Sequence, residues 1–266
     1  MRCFILISLV VGLLCSYPVK AQNEFCGITN GSFQAGENMT LKVYYRLTGV
    51  YIGAGEATFN CVAEKLNGHD VYHLIGEGKT YRAYDWFFKV RDKYESYIDT
   101  ATLKPLKFVR NVSEGGHTIY NNVTFDHPHN TATSTNGTFK VPDCIQDVVS
   151  SVYYARNINF DKYKPNDKVS FSMFIDDKVY SIYIRYIGKE EVSTKFGKFR
   201  AIHFKPLLIE GTMFKGGEKM DVWVSDDPNH IPLRIESPIS VGSVKVDMMG
   251  YHNLRYPLTS LLSFRN

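Results

Sequence analysis

Alternation with a period of two runs through most of the chain, and it restricts the fold more than any other feature. Leu41, Val43, Tyr45 and Leu47 alternate with Lys42, Tyr44 and Arg46. Ala57, Phe59 and Cys61 continue the pattern. Further on, Ile119, Asn121, Val123 and Phe125 share one face, with Tyr120, Asn122 and Thr124 on the other. Successive side chains of a strand point to opposite faces, so this spacing reads as half-buried strands. Turn chemistry separates the runs. Asn67-Gly68 supplies the positive φ angles of a primed hairpin turn, and Glu114-Gly115-Gly116, Asn136-Gly137, Asp176-Asp177 and Pro228-Asn229 fall between later runs. The fold class expected is all-β: a strongly bent antiparallel sheet or partly open barrel, with one short helix packed on it. No linker, repeat or low-complexity block stands out, so residues 22–266 read as a single β-rich domain.

The first residues do not belong to that pattern. Arg2 precedes an apolar run from Cys3 to Leu14, and Val19-Lys20-Ala21 places small residues at positions −3 and −1 of a cut before Gln22. This reads as a cleaved export signal over 1–21, with no membrane span in the mature chain. A lipid anchor through Cys15 is the alternative. Losing Arg2 and Lys20 with the signal takes the formal charge from +4 to +2. No basic cluster remains to hold nucleic acid. Cys26, Cys61 and Cys144 stay, an odd number that allows one disulfide whose pairing the sequence leaves open.

The helical exception is residues 143–157, "DCIQDVVSSVYYARN". Asp143 after Pro142, with Gln146 three residues on, matches a capping box, and Ile145, Val148, Val149, Val152 and Ala155 fall at helical spacing.

The stretch "TYRAYDWFFKVRDKYESYID", residues 80–99, strains the strand pattern with three aromatic rings in a row. Read as a strand, it puts Tyr84, Trp86, Phe88 and Val90 on a core face. Phe87 then stands with Asp85 and Lys89 on the charged face. A surplus of rings beyond what alternation buries suggests a groove for an apolar ligand. The candidate lining is Tyr81, Tyr84, Trp86, Phe87 and Phe88, with Trp223 as a neighbour. Arg82 and Arg91 are candidates to hold an anionic group beside it.

The run "YDWFFKVRDKYESYIDTATLKPLKFVRNVSEGG", with "DVWVSDDPNHIPLRIESPISVGSV" and "STKFGKFRAIHFKP", resembles a family of exported bacterial proteins, common in Bacteroidetes-type bacteria and known only as domain of unknown function 3108. The likeness extends from about Gly36 to Tyr251. It implies an exported, β-rich periplasmic protein and carries no activity with it. In architecture the family is distantly similar to periplasmic lipoprotein carriers, whose bent sheet wraps an apolar groove. In such a source, Asp99-Thr100-Ala101 matches a short acceptor pattern for O-linked glycan at Thr100.

Catalytic frames are scarce. There is no G-x-S-x-G elbow and no phosphate loop. "GVYIGAG" lacks the helix and acid of a dinucleotide site and reads as a bulged strand. No cofactor is implied. His127-Pro128-His129 has a metal-like spacing, but Pro128 marks a strand end where histidines are commonly solvated. Asp85, Asp226 and Asp227 beside tryptophans are the acids a carbohydrate-active enzyme would use. Ordinary turn chemistry also explains "SDDPNH". An outer-membrane barrel is disfavoured by the helix, the charged strands and the polar C-terminus. The expectation is a non-enzymatic periplasmic protein that carries a lipid or lipidated ligand. An envelope assembly factor using an aromatic patch against another envelope protein is the alternative, and a carbohydrate-active enzyme the third.

Overall fold

The computed structural model describes residues 26–47, 49–210, 216–239 and 241–265; the signal read at 1–21 and Cys15 lie outside them. Fifteen strands and one α-helix follow in chain order. They are β1 (Asn38–Leu47), β2 (Val50–Leu66), β3 (His69–Thr80), β4 (Val90–Asp99), β5 (Pro105–Glu114), β6 (His117–Asp126), β7 (Thr131–Ser134) and β8 (Gly137–Lys140), then α1 (Val148–Ala155). The second half holds β9 (Lys168–Ile175), β10 (Lys178–Ser193), β11 (Gly197–Pro206), β12 (Asp221–Ser225), β13 (Pro232–Pro238), β14 (Ser243–His252) and β15 (Leu261–Phe264). All join one antiparallel sheet, ordered β8-β7-β6-β5-β4-β3-β2-β1-β14-β13-β12-β11-β10-β9, with β15 on β11. Two up-and-down meanders are thus joined edge to edge through β1 and β14. The path does not close, because β8 and β9 do not pair with each other.

The helix fills the bend. It packs against β3 and β4 from one meander and β9 from the other. The larger core surrounds it, with Phe33, Leu74, Phe108, Tyr153, Phe174 and Ile202 fully or nearly fully buried. A smaller core joins Met39, Leu41, Phe199, Leu233 and Met248 to Leu254, Leu258 and Leu261 near the C-terminus. The interior where an apolar groove was expected therefore holds the protein's own side chains.

The helix starts later than its sequence pattern suggests. Asp147, not Asp143, is the N-cap: its carboxylate accepts from the Val149 and Ser150 amides, and Ser150 bonds back to the Asp147 amide. Gln146 cannot enter the helix because its backbone is already paired with β9, donating to Ser172 and accepting from Phe174. Cys144 has a φ of 57°, which also breaks the helical path. It joins Cys26 in the disulfide, leaving Cys61 as a buried thiol pushed up to about 12 by desolvation. Just past the helix, Arg156 is buried and fully engaged. It meets both Glu37 oxygens and the Asn229 and Ser32 carbonyls. Removing one partner of such a pair would leave a buried charge, at a cost of about 3–5 kcal/mol.

One pattern occurs twice, although no repeat stood out in the sequence. His73 on β3 lies opposite Tyr97 on β4 and stacks on it at 4.1 Å. Its ring nitrogens face Glu64 and Glu95 at 3.0 and 3.1 Å. His203 on β11 lies opposite Trp223 on β12 and stacks at 4.5 Å, with Glu190 and Asp221 at its nitrogens. Each aromatic residue is followed by a register shift, and a proline opens each returning strand: Ile98 pairs Pro105, and Val224 pairs Pro232. The strings concerned are "ESYIDTATLKPLKF" and "DVWVSDDPNHIPLRI".

Antiparallel order sorts the turns between two ends. The β1–β2, β3–β4, β5–β6 and β13–β14 turns lie at one end, and the β2–β3, β4–β5 and β12–β13 turns at the other.

Candidate functional site

Residues 81–89 are not a strand. β3 ends at Thr80 and β4 begins at Val90, and the segment between them folds as two tight turns. Tyr84 donates to the Tyr81 carbonyl, and Phe87 and Phe88 both donate to the Tyr84 carbonyl. The cause is a polar tie at the base of the loop. The Asp85 carboxylate accepts from the Thr80 hydroxyl at 2.7 Å and from both Arg91 terminal nitrogens at 2.7 and 3.1 Å. Arg91 also donates to the Thr80 carbonyl, and the Thr80 hydroxyl accepts from the Val90 amide. Three polar residues thus close the neck, and the rings between them are pushed outward. Arg91 belongs to this tie. Arg82 is exposed on the first turn.

Trp86, Phe87 and Phe88 are 83, 61 and 42% exposed, and none sits on a core face. They are not isolated. Phe88 lies over Gly115 of the β5–β6 turn, whose φ of 56° and lack of a side chain admit the ring. Phe87 meets Tyr45 of β1 at 6.4 Å, and the Tyr45 hydroxyl donates to the Val241 carbonyl in the β13–β14 turn at 3.1 Å. Val241 and Val50 are themselves exposed by more than half. The outcome is an apolar rim built from four turns at one end of the sheet. Single exposed apolar residues mean little, but here three neighbouring rings on one turn are exposed together. At the same end of the sheet Arg46 and Lys245 lie over the Tyr51 ring at 5.3 and 4.0 Å. Tyr81 and Tyr84 stay half-buried at the base of the loop.

Directly beneath the rim lies an acid pair that the strand pattern concealed. Asp92 and Glu114 sit on the core side of β4 and β5, and Glu114 immediately precedes the glycine under Phe88. Burial and the adjacent Glu114 carboxyl raise Asp92 to about 7. Tyr94 beside them is pushed up to about 12, chiefly by burial. Arg110 bridges onward to Asn121 and to Asp176 in the β9–β10 turn, tying the two meanders across the open side.

The sequence matches the family model for the protein of unknown function DUF3108 over residues 40–249. The chain belongs to the DUF3108 family. No curated protein matches this DUF3108 chain in sequence. Among solved structures it resembles a β-barrel-like protein of the domain of unknown function DUF1849 from Brucella abortus. The two are 8% identical with a TM-score of 0.57, over 85% of this chain and 99% of that one. That likeness is one of fold. Looser matches are a presumed lipoprotein from Parabacteroides distasonis (12% identity, TM-score 0.36, 84% of this chain and 100% of that one) and a presumed exported protein with a YmcC-like fold from Bacteroides fragilis (11%, 0.33, 85% and 100%).

The other candidate residues of the DUF3108 chain lie elsewhere. Trp223 stacks on His203 and donates to Glu190 at 2.6 Å, and it touches no ring of the 81–88 group. Asp227 is consumed by its own turn, accepting from Ser225, Asn229 and Ser260, and Asp226 pairs with Lys189. These acids are at the opposite end from Asp85, so the three cannot flank one bond. His127 donates to the Pro105 carbonyl while His129 pairs with Asp126, so the two histidines are engaged separately. Thr100 is half-buried in the β4–β5 turn, again at the far end. A cleft of about 420 Å³ on the outer face of β2–β5 is polar, lined by Glu56, Glu77, Lys79, Lys93 and Asn111 among others. Among the described residues no helix is long and apolar enough to cross a membrane.

Proposed function

We propose that this DUF3108 protein is a non-catalytic, exported protein of the cell envelope that binds lipid or another apolar ligand at its aromatic rim. The observation that carries the reading is the joint exposure of Trp86, Phe87 and Phe88, with Phe87 against Tyr45 of β1 and Phe88 over Gly115 of the β5–β6 turn. Fully covering one exposed ring gains about 1.5–3 kcal/mol, and with the rings 83, 61 and 42% exposed their joint burial contributes roughly 3–6 kcal/mol toward holding a partner. The signal-like segment at 1–21 supports export. Asp85 lies at the opposite end of the sheet from Asp226 and Asp227, which weighs against the carbohydrate-active reading that joined them. The rim does not line a groove, so the ligand would lie on the end of the sheet rather than inside the bend.

The test is native mass spectrometry of the purified protein together with titration by a fluorescent fatty acid. Co-purifying lipid, or saturable uptake lost in a Trp86→Ala/Phe87→Ala/Phe88→Ala variant with an unchanged melting temperature, supports the reading. A clean protein mass with no uptake sinks it. Crosslinking in cells that captures one envelope protein at residue 86 would then favour the assembly-factor alternative.

A further inference from the structure

Resting on that lipid reading, we infer that the rim is a membrane-docking surface whose partner is the anionic headgroup face of a bilayer. The charge arrangement argues for it. Arg82 and Lys89 flank the rings on the same loop, Arg46 and Lys245 stand at the same end of β1 and β14, and none of the four forms an ion pair among the described residues. The β1–β2, β3–β4, β5–β6 and β13–β14 turns hold one carboxylate among the described residues, Asp85, and Glu114 ends β5 beside them; Glu236, opposite Lys245 on β13, is shared with Arg234. Asp85 is bound by Arg91 and Thr80 in the neck, which holds its carboxyl below the usual range. Glu114 is buried against Asp92. The end therefore presents apolar rings outermost and positive charge around them.

The ring faces also position the cations. Tyr51 lies between Arg46 and Lys245, and Lys245 further reaches the Tyr44 ring at 5.7 Å. Such stacking lays the apolar stems of the long side chains on aromatic surface and leaves the charged heads at the edge. Tryptophan and tyrosine at headgroup level, with Lys and Arg reaching anionic lipid, is the chemistry of an interfacial surface. The geometry distinguishes a plane from a single molecule. Trp86, Phe87 and Phe88 protrude side by side from the β3–β4 turn, and Tyr45 and Tyr51 stand at the same end on β1 and β2, so a flat surface can meet the exposed rings together. The Thr80–Asp85–Arg91 tie fixes the protruding loop beforehand, so little ordering cost remains at docking.

The experiment is co-sedimentation of the purified protein with vesicles of phosphatidylcholine alone and with vesicles of equal phosphatidylcholine and phosphatidylglycerol. The expected result is about tenfold or greater preference for the anionic vesicles, weakening as salt is added. Trp86→Ser/Phe87→Ser should abolish sedimentation, and Arg82→Glu/Lys245→Glu should remove the preference, both with unchanged melting temperature. Equal binding to both vesicle types overturns the inference, and so does binding that survives the Trp86/Phe87 variant. Fatty-acid uptake by a protein that ignores both vesicle types overturns docking while leaving the lipid reading standing. Failure of both overturns both.

Discussion

Asp92 shows how a sheet interior changes a carboxyl. It sits next to Glu114 on the core side, and its proton is held to about 7 because burial and a second carboxyl oppose ionisation. An unfolded aspartate releases its proton near 3.9. Between about pH 4 and 7 the folded chain therefore binds more protons than the unfolded one, and this group's contribution to stability declines as pH rises through that window. Asp92→Asn keeps the shape and the acceptor for the Ser113 amide while removing the charge. Thermal unfolding should show it more stable than the parent at pH 8, by about 1 kcal/mol, the full shift being discounted for partial solvation. The two proteins should converge at pH 4. A variant that is less stable at pH 8 would mean that the ionised carboxylate is needed where it lies.

At the scale of elements, the neck of the aromatic loop is the piece most open to test. Arg91→Ala removes the donors that hold Asp85 and the Thr80 carbonyl. Limited proteolysis should then cut within 81–89 several times faster, with a loss of about 1–2 kcal/mol in global stability, since the strands on either side keep their ladders. Equal cutting rates would show that the turns hold without the tie. The loop also marks where sequence pattern stops being informative. Strands were legible because period-two alternation and turn residues are local signals. The neck was not, because it depends on which polar partners Thr80, Asp85 and Arg91 find, and "RDKYES" reads equally well as a solvated strand face. The helix was visible but misplaced, because pairing of Gln146 with β9 overrides a plausible cap at Asp143. The recurring unit was in plain view as an aromatic residue, a turn, and Pro-Leu-basic-apolar at Pro105–Phe108 and Pro232–Ile235. Its two copies are too far apart and too different in turn length for simple periodicity to reveal.

For the whole molecule, the joining of β1 to β14 is what assembles the rim. It brings the first hairpin of one meander beside the last turn of the other, so that Tyr45, Phe87 and Val241 meet. The bend itself is occupied by α1 and its core, so the exposed rings of the rim lie on the end of the sheet. The most direct check uses the two tryptophans. A Trp223→Phe background, with its fold confirmed by circular dichroism, leaves Trp86 as the sole emitter. Titration with lysophospholipid should shift its emission to shorter wavelength and saturate, as a water-exposed indole enters an apolar layer. Emission that stays at the water-exposed position while the protein binds the lipid would contradict the assignment of the rim as the binding surface.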